Sequence, residues 1–225
     1  MTEQTTNPAG PGVGRATGFE LGAPDDPGAP RIASALARNR EFAAAGRHEG
    51  AVVFPALGLF VITCCDPRTD PAQFLGLGMS DALVVRNVGG RVTPEVINDV
   101  AYLGQLGESF MPDGPLFEVA VIHHTQCGAG ALADATFRRR YADRIGADEA
   151  DLRDHAVLDP AATVTSDVER LRSASAISQR VAVSGHVYDV LTGLVQTIIP
   201  ARHKNSESAP APATPDEVQT GAASS

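Results

Sequence analysis

The stretch Gly58-Leu59-Phe60-Val61-Ile62-Thr63 runs directly into Cys64-Cys65-Asp66-Pro67-Arg68, and this junction decides how the chain folds. The first six residues are short, apolar and rich in branched or aromatic side chains, with no polar alternation. That pattern belongs to a strand buried on both faces, as in a parallel sheet covered by helices. The strand ends at Cys64, and Pro67 and Pro71 bound the loop that follows.

Working outward, Ala82-Leu83-Val84-Val85 reads as a second strand and Phe117 to Ile122 as a third. Arg31 to Ala45 carries Ile32, Leu36 and Phe42 among strong helix formers, with Gly46 as its stop. Pro94 to Leu106, Gly128 to Tyr141 and Ser166 to Arg172 also read as helical, and Arg180 to Gly185 and Val195 to Ile199 as extended. The last two, joined through Asp189 to Gly193, suit a hairpin. The expected class is therefore α/β: a mainly parallel central sheet flanked by helices, with an antiparallel edge strand. Residues 1 to 30 and 202 to 225 are dominated by Pro, Gly, Thr, Ser and Ala without apolar period. They read as a flexible N-terminal arm and a disordered C-terminal tail around one catalytic domain at 31 to 201.

The 225 residues suffice for one sizeable core. A net charge of -9, from 27 acidic and 18 basic residues, argues against a nucleic-acid partner. The densest basic spot, Arg138-Arg139-Arg140, reads as a solvated helix face. The most apolar stretch, Ala51 to Thr63, is short and broken by Pro55 and Gly58, so neither a signal peptide nor a membrane span is expected. Three cysteines, two of them adjacent, make a poor disulfide framework and suit metal binding in a reducing compartment, the cytoplasm.

In open parallel sheets, ligands gather beyond the carboxyl ends of the strands. Cys64 and His124 both stand at such ends, so sixty positions of sequence are no obstacle to sharing one ion. Cys127 follows His124 at i+3, and Gly128 and Gly130 permit the turn that presents both to one side. A helix opening near Gly128 would favour the thiolate, the form that binds metal. Sulfur plus imidazole selects Zn2+ over magnesium or calcium, and three protein ligands leave a fourth place for solvent. Asp66 and Arg68 add a carboxylate that can orient a water and a guanidinium that can fix the carboxylate. Zinc with two thiolates is formally neutral, which makes that orientation more valuable. Cys65, next to a ligand on extended chain, should point away from the ion, and His123 should face away from His124 as a satisfied core histidine.

Cys64-Cys65-Asp66-Pro67-Arg68 resembles the Cys-x-Asp-x-Arg signature of the beta class of carbonic anhydrases, and His124-Thr125-Gln126-Cys127-Gly128 resembles its His-x-x-Cys-Gly signature. Arg86-Asn87-Val88-Gly89-Gly90 and Tyr188-Asp189-Val190-Leu191-Thr192-Gly193 are similar to further segments in the same order, so the likeness covers about residues 31 to 199. It implies zinc on Cys64, His124 and Cys127, with Asp66 and Arg68 positioning the hydroxide that attacks CO2 to give bicarbonate. It also implies Val88, Gly89 and Gly90 near the substrate, and a homodimer or larger homo-oligomer. The chain looks closer to the short archaeal and bacterial branch, which also contains carbonyl sulfide hydrolases. It departs from many relatives at His123, where they have glycine, and at Gln126, where they often have Asp, Ala or another small residue.

Three other readings compete on these residues. Carbonyl sulfide hydrolysis needs the same five groups. A non-catalytic zinc domain would close its site with a fourth ligand, for which Cys65 or Asp66 is the nearest residue. A cysteine phosphatase needs Arg six places after its nucleophile, whereas Asp70, Pro71 and Ala133 stand there.

Overall fold

The computed structural model describes residues 30 to 204, so the expected N-terminal arm and most of the expected tail lie outside the described residues. The elements run α1 (Ala33–Ala44), β1 (Leu59–Cys64), α2 (Pro71–Phe74), β2 (Ala82–Asn87), α3 (Pro94–Phe110), β3 (Glu118–His124), α4 (Ala135–Ile145), α5 (Glu149–Asp154), α6 (Pro160–Ser173), β4 (Ala182–Tyr188) and β5 (Val195–His203). The sheet order is β2-β1-β3-β4-β5; the first four strands are parallel and β5 pairs antiparallel with β4. This is the expected α/β class, with the hairpin forming the edge.

The apolar runs explain the layers. On one face, Phe60 and Ile62 of β1 join Val119 and Val121 of β3 and Val183 of β4 beneath Val96 and Val100 of α3 and Val164, Val168 and Leu171 of α6. Each such side chain contributes about 1.5–3 kcal/mol on burial. On the other face, Val61, Ala120 and Ile122 are covered by Phe74, Leu75, Leu77 and Tyr188, a thinner layer. Helix α1 buries none of its residues.

Several boundaries differ from the sequence reading. Helix α6 begins at Pro160 because Asp159 caps it, accepting from the amides of Ala161 and Ala162. The helix expected over 128 to 141 is two pieces: a 3-10 turn over Gly128–Ala133, then α4, separated by an extended Asp134 whose side chain accepts from Phe137 N. The short helix α5 was not anticipated, and β5 continues through His203, two residues past the expected domain edge. The basic triplet is not uniformly solvated. Arg138 is buried and donates to the carbonyls of Leu132 and Ala133, which end the 3-10 turn, while Arg139 and Arg140 are exposed.

A buried carboxylate ties this frame to the strand ends. Asp167 of α6 is fully enclosed and accepts from Arg91 Nε at 2.7 Å and Nη2 at 3.1 Å, from Arg170 Nη1 at 3.0 Å and from Val92 N at 3.2 Å. His123 Nε2 lies 3.2 Å from the same carboxylate and 3.2 Å from Gly90 O, so His123 is anchored in the core, facing α6, although its Nδ1 has no partner. Arg91 in turn exchanges two hydrogen bonds with the Asn87 side chain, both 2.8 Å, closing the loop over 88 to 90. Gly90 has a φ of +66°, and a Cβ there would stand 2.8 Å from Thr63 C, so only glycine lets this loop lie flat on the end of β1.

Burial opposes ionisation of Asp167 most strongly, but the hydrogen bonds from His123 and Arg91 and the charge of Arg91 together hold its pKa below the ordinary carboxylate value. A group of depressed folded pKa gives stability that is present above its unfolded value, about 3.9, and is lost as pH falls through the folded one. Asp167→Asn leaves the Arg91 guanidinium enclosed without its counter-charge. It should cost about 3 kcal/mol in urea unfolding at pH 7. The wild-type protein should also lose stability more steeply than the variant as pH falls below about 4.

Candidate metal centre

Parallel pairing of β1 with β3, in register at Thr63 and Ile122, sets the carboxyl ends of the two strands side by side. Thr63 Oγ1 donates to Ile122 O at 2.8 Å and locks that pairing at the last step before the site. Cys64 is the final residue of β1 and His124 the final residue of β3; Cys127 follows after a turn and precedes the 3-10 segment. Their ligand atoms all lie within 4.8 Å of one another.

The donor set fits zinc. The Cys64 and Cys127 sulfurs are 3.9 Å apart, and two sulfurs at about 2.3 Å from one tetrahedral ion would be about 3.8 Å apart. His124 Nε2 is buried with no hydrogen-bond partner, while its Nδ1 lies 3.0 Å from Thr125 O. Donation from Nδ1 to that carbonyl fixes the tautomer whose bare Nε2 is a ligand. A buried imidazole nitrogen without a partner is costly unless something binds it.

A hydrogen bond couples the two sulfurs. The hydrogen bond from Cys127, against burial and aided by His124 and the amides of Asp66 and Gly89, lowers Cys64 to about 3. The same shared bond, with burial, pushes Cys127 well above an ordinary thiol, despite the Ala129 amide. The expected helix at Gly128 is thus a 3-10 turn, whose amide at Ala129 still favours negative sulfur. Cys65 is exposed, its amide bonded to Asn87 O, as strand alternation requires of a residue that points away.

Asp66 and Arg68 are paired. Arg68 Nε donates to Asp66 Oδ1 at 3.0 Å and Nη2 to Oδ2 at 2.7 Å, and the Arg68 amide adds a third bond at 2.9 Å. The hydrogen bonds from Arg68, against some burial, hold Asp66 at about 2, so it is a carboxylate at any working pH. Thr69 Oγ1 bonds to both Cys64 O and Asp66 O, and Arg86 donates from Nε to Cys64 O at 3.0 Å and from Nη2 to Asp66 O at 2.7 Å. On the other side, Thr125 Oγ1 donates to Asp189 Oδ1 and accepts from Val190 N, which joins the His124 turn to the end of β4. Val88, Gly89 and Gly90 form a tight turn after β2; Gly89 and Gly90 are buried and Val88 is exposed.

The sequence reading did not single out Thr69, Arg86, Arg91, Thr125 or Asp167 for the frame around the site. Arg86, Thr125 and Asp189 stood inside quoted segments, but the bonds from Arg86 to Asp66 O and from Thr125 to Asp189 are set by the fold across 20 and 64 positions.

Comparison with known proteins matches this architecture and site. The family model described as carbonic anhydrase matches residues 59–195. Beta-carbonic anhydrase 1 of Mycobacterium tuberculosis is 27% identical over 146 residues, 65% of this chain and 85% of that protein. A carbon disulfide hydrolase of Acidianus sp. is 28% identical over 157 residues, 60% of this chain and 74% of that one. Among solved structures, a carbonic anhydrase from Streptococcus mutans superposes with a TM-score of 0.60 at 30% identity, covering 76% of this chain and 99% of that chain. The sheet order, the placement of the Cys-His-Cys set at its carboxyl edge and the match across residues 59–195 make this chain a member of the carbonic anhydrase family, in its beta class.

Proposed function

We propose that the protein catalyses the reversible hydration of CO2 to bicarbonate as a zinc enzyme, with Cys64, His124 and Cys127 holding the ion. The observation that carries this reading is the convergence of those three ligand atoms beside a formed Asp66–Arg68 pair. When bound, zinc supplies the Lewis acidity that brings ionisation of a water near neutral pH. The two sulfurs and Nε2 of His124 set its position, and the formal neutrality of zinc with two thiolates leaves orientation to the protein.

Asp66, kept ionised by Arg68, can only accept hydrogen bonds. It therefore holds the O–H of the attacking oxygen and turns a lone pair toward the carbon of CO2, forming the C–O bond of bicarbonate. The proton lost when water becomes that attacking oxygen passes to solvent, because Asp66, held at about 2, is too weak a base to keep it. The turn at Val88, Gly89 and Gly90, with the Gly89 amide favouring negative sulfur at Cys64, forms the wall along which a small apolar substrate approaches.

Hydrolysis of carbon disulfide or carbonyl sulfide is the second reading, supported by the similarity to the carbon disulfide hydrolase. The working unit in our reading is a homodimer or larger homo-oligomer. An α1 with no residue buried, and exposed Val84, Val88 and Tyr102 along β2 and α3, support it. Three free cysteines suit the cytoplasm, and among the described residues no helix is long and apolar enough to cross a membrane. The residues at 31 to 201 form the catalytic domain in this reading.

Because the hydrogen bond between the sulfurs lowers Cys64 and raises Cys127, zinc uptake by the metal-free protein at pH 8 should release about one proton per ion, read by calorimetry in buffers of different ionisation heat. Affinity should then fall roughly tenfold for each unit the pH is lowered. Release of no proton would contradict the shared-proton account.

Zinc-loaded protein should hydrate CO2 in stopped-flow assays, and Asp66→Asn should lower kcat/KM about 10- to 100-fold with zinc content unchanged. Parallel assays with carbonyl sulfide and carbon disulfide decide the substrate: rapid sulfide release beside negligible CO2 hydration would transfer the assignment to the second reading.

A further inference from the structure

Gln126 stands between two of the converging residues, His124 and Cys127, and has a φ of +57°. Among the described non-glycine residues only Ser80 shares a positive φ. The left-handed region is disfavoured for a residue with a Cβ, and such strain persists where the surroundings over-determine it. The surroundings here are Arg68. Its Nη2 donates to Gln126 O at 3.1 Å and its Nη1 to Gln126 Oε1 at 3.4 Å, so one residue offers both its main-chain and its side-chain oxygen to one guanidinium.

This contact differs in kind from the others Arg68 makes. The bonds to Asp66 span two positions of one loop, and the anchors of that loop, Thr69 and Arg86, reach the Asp66 main chain and not the Arg68 guanidinium. The bonds to Gln126 cross 58 positions, from the loop after β1 to the loop after β3. Arg68 is 47% exposed, so little packing restrains it otherwise.

We propose that Gln126 is a positioning residue: it fixes the Arg68–Asp66 pair against the turn that carries His124 and Cys127, and the left-handed backbone at Gln126 is retained for that purpose. The proposal rests on the reading of Asp66 as the orienting carboxylate. It adds that the orientation is set from the opposite loop, by a residue that touches neither substrate nor metal.

Gln126→Gly separates this role from a structural one. Glycine adopts a positive φ without strain, so the thermal midpoint should hold or rise, with zinc content unchanged. Yet turnover should fall about 10-fold, and rotation of the Arg68 guanidinium about its Nε–Cζ bond, read by NMR, should become faster. Gln126→Glu, which keeps an oxygen within reach of Arg68, should keep slow rotation and recover most of the turnover. A glycine variant with wild-type rotation and turnover would overturn the proposal, as would a glutamate variant as impaired as the glycine one. If the wild-type protein hydrates no CO2, the functional reading fails by itself, and the rotation rates of the two variants still decide the role of Gln126.

Discussion

Two sulfurs held 3.9 Å apart in a largely buried place cannot both be anionic without a cation. At an effective dielectric of 20, two unit charges at that distance repel by on the order of 4 kcal/mol. The metal-free chain resolves the conflict by sharing a proton, which is why Cys64 is driven down and Cys127 up. A divalent cation resolves it by removing the proton. The buried Nε2 of His124, without a partner, is the third sign that the protein surface at these strand ends is shaped around something positive. The fold around this point keeps the ends of β1 and β3 adjacent, through their parallel pairing and the Thr63–Ile122 bond.

Two carboxylate–guanidinium pairs flank the centre and do different work because their surroundings differ. Asp167 and Arg91 are enclosed, and their pairing is a matter of stability: either ion alone would be stranded away from water. Asp66 and Arg68 are partly open to solvent, where such a pair stabilises little. What it provides is a fixed direction for an acceptor. The buried pair holds the backbone on which Gly89 and Gly90 rest, and the open pair stands beside the converging Cys64, His124 and Cys127 side chains. Exchanging the two environments would leave the site either rigid without an accessible acceptor or accessible without a frame.

The first three strands were legible because they carry compact apolar runs ending in a polar or glycine-containing turn, as at Leu59 to Cys64 and Glu118 to His124. The convergence of the three side chains was legible because strand ends in such sheets meet, so Cys64 and His124 could be brought together without knowing the intervening path. The break in the helix after Gly128 was not, since Gly128 to Ala133 has no periodicity that distinguishes a 3-10 turn from an α-helix start. The burial of Arg138 followed from that break: the side chain turns inward to meet the carbonyls of Leu132 and Ala133 that the irregular turn leaves open. Asp167 was hidden for another reason. It lies among Thr165, Ser166 and Glu169 on an amphipathic helix, where a carboxylate is expected to face water, and only the packing of α6 over β3 and the Arg91 loop reverses that expectation.

The same reasoning says where substrate choice must reside. CO2, carbonyl sulfide and carbon disulfide are all linear molecules with an electrophilic central carbon, and an oxygen oriented by Asp66 can attack any of them. The three ligand atoms and the Asp66–Arg68 pair respond to the attacking oxygen, which is common to all three reactions, so they cannot discriminate strongly. Discrimination requires groups that meet the atom differing between substrates, oxygen or the larger sulfur, and those lie along the approach. Under the proposed function that approach would include the turn at Val88, whose side chain is 65% exposed. Under the proposed function, then, the ends of β1 and β3 would set the chemistry and the wall after β2 the selectivity.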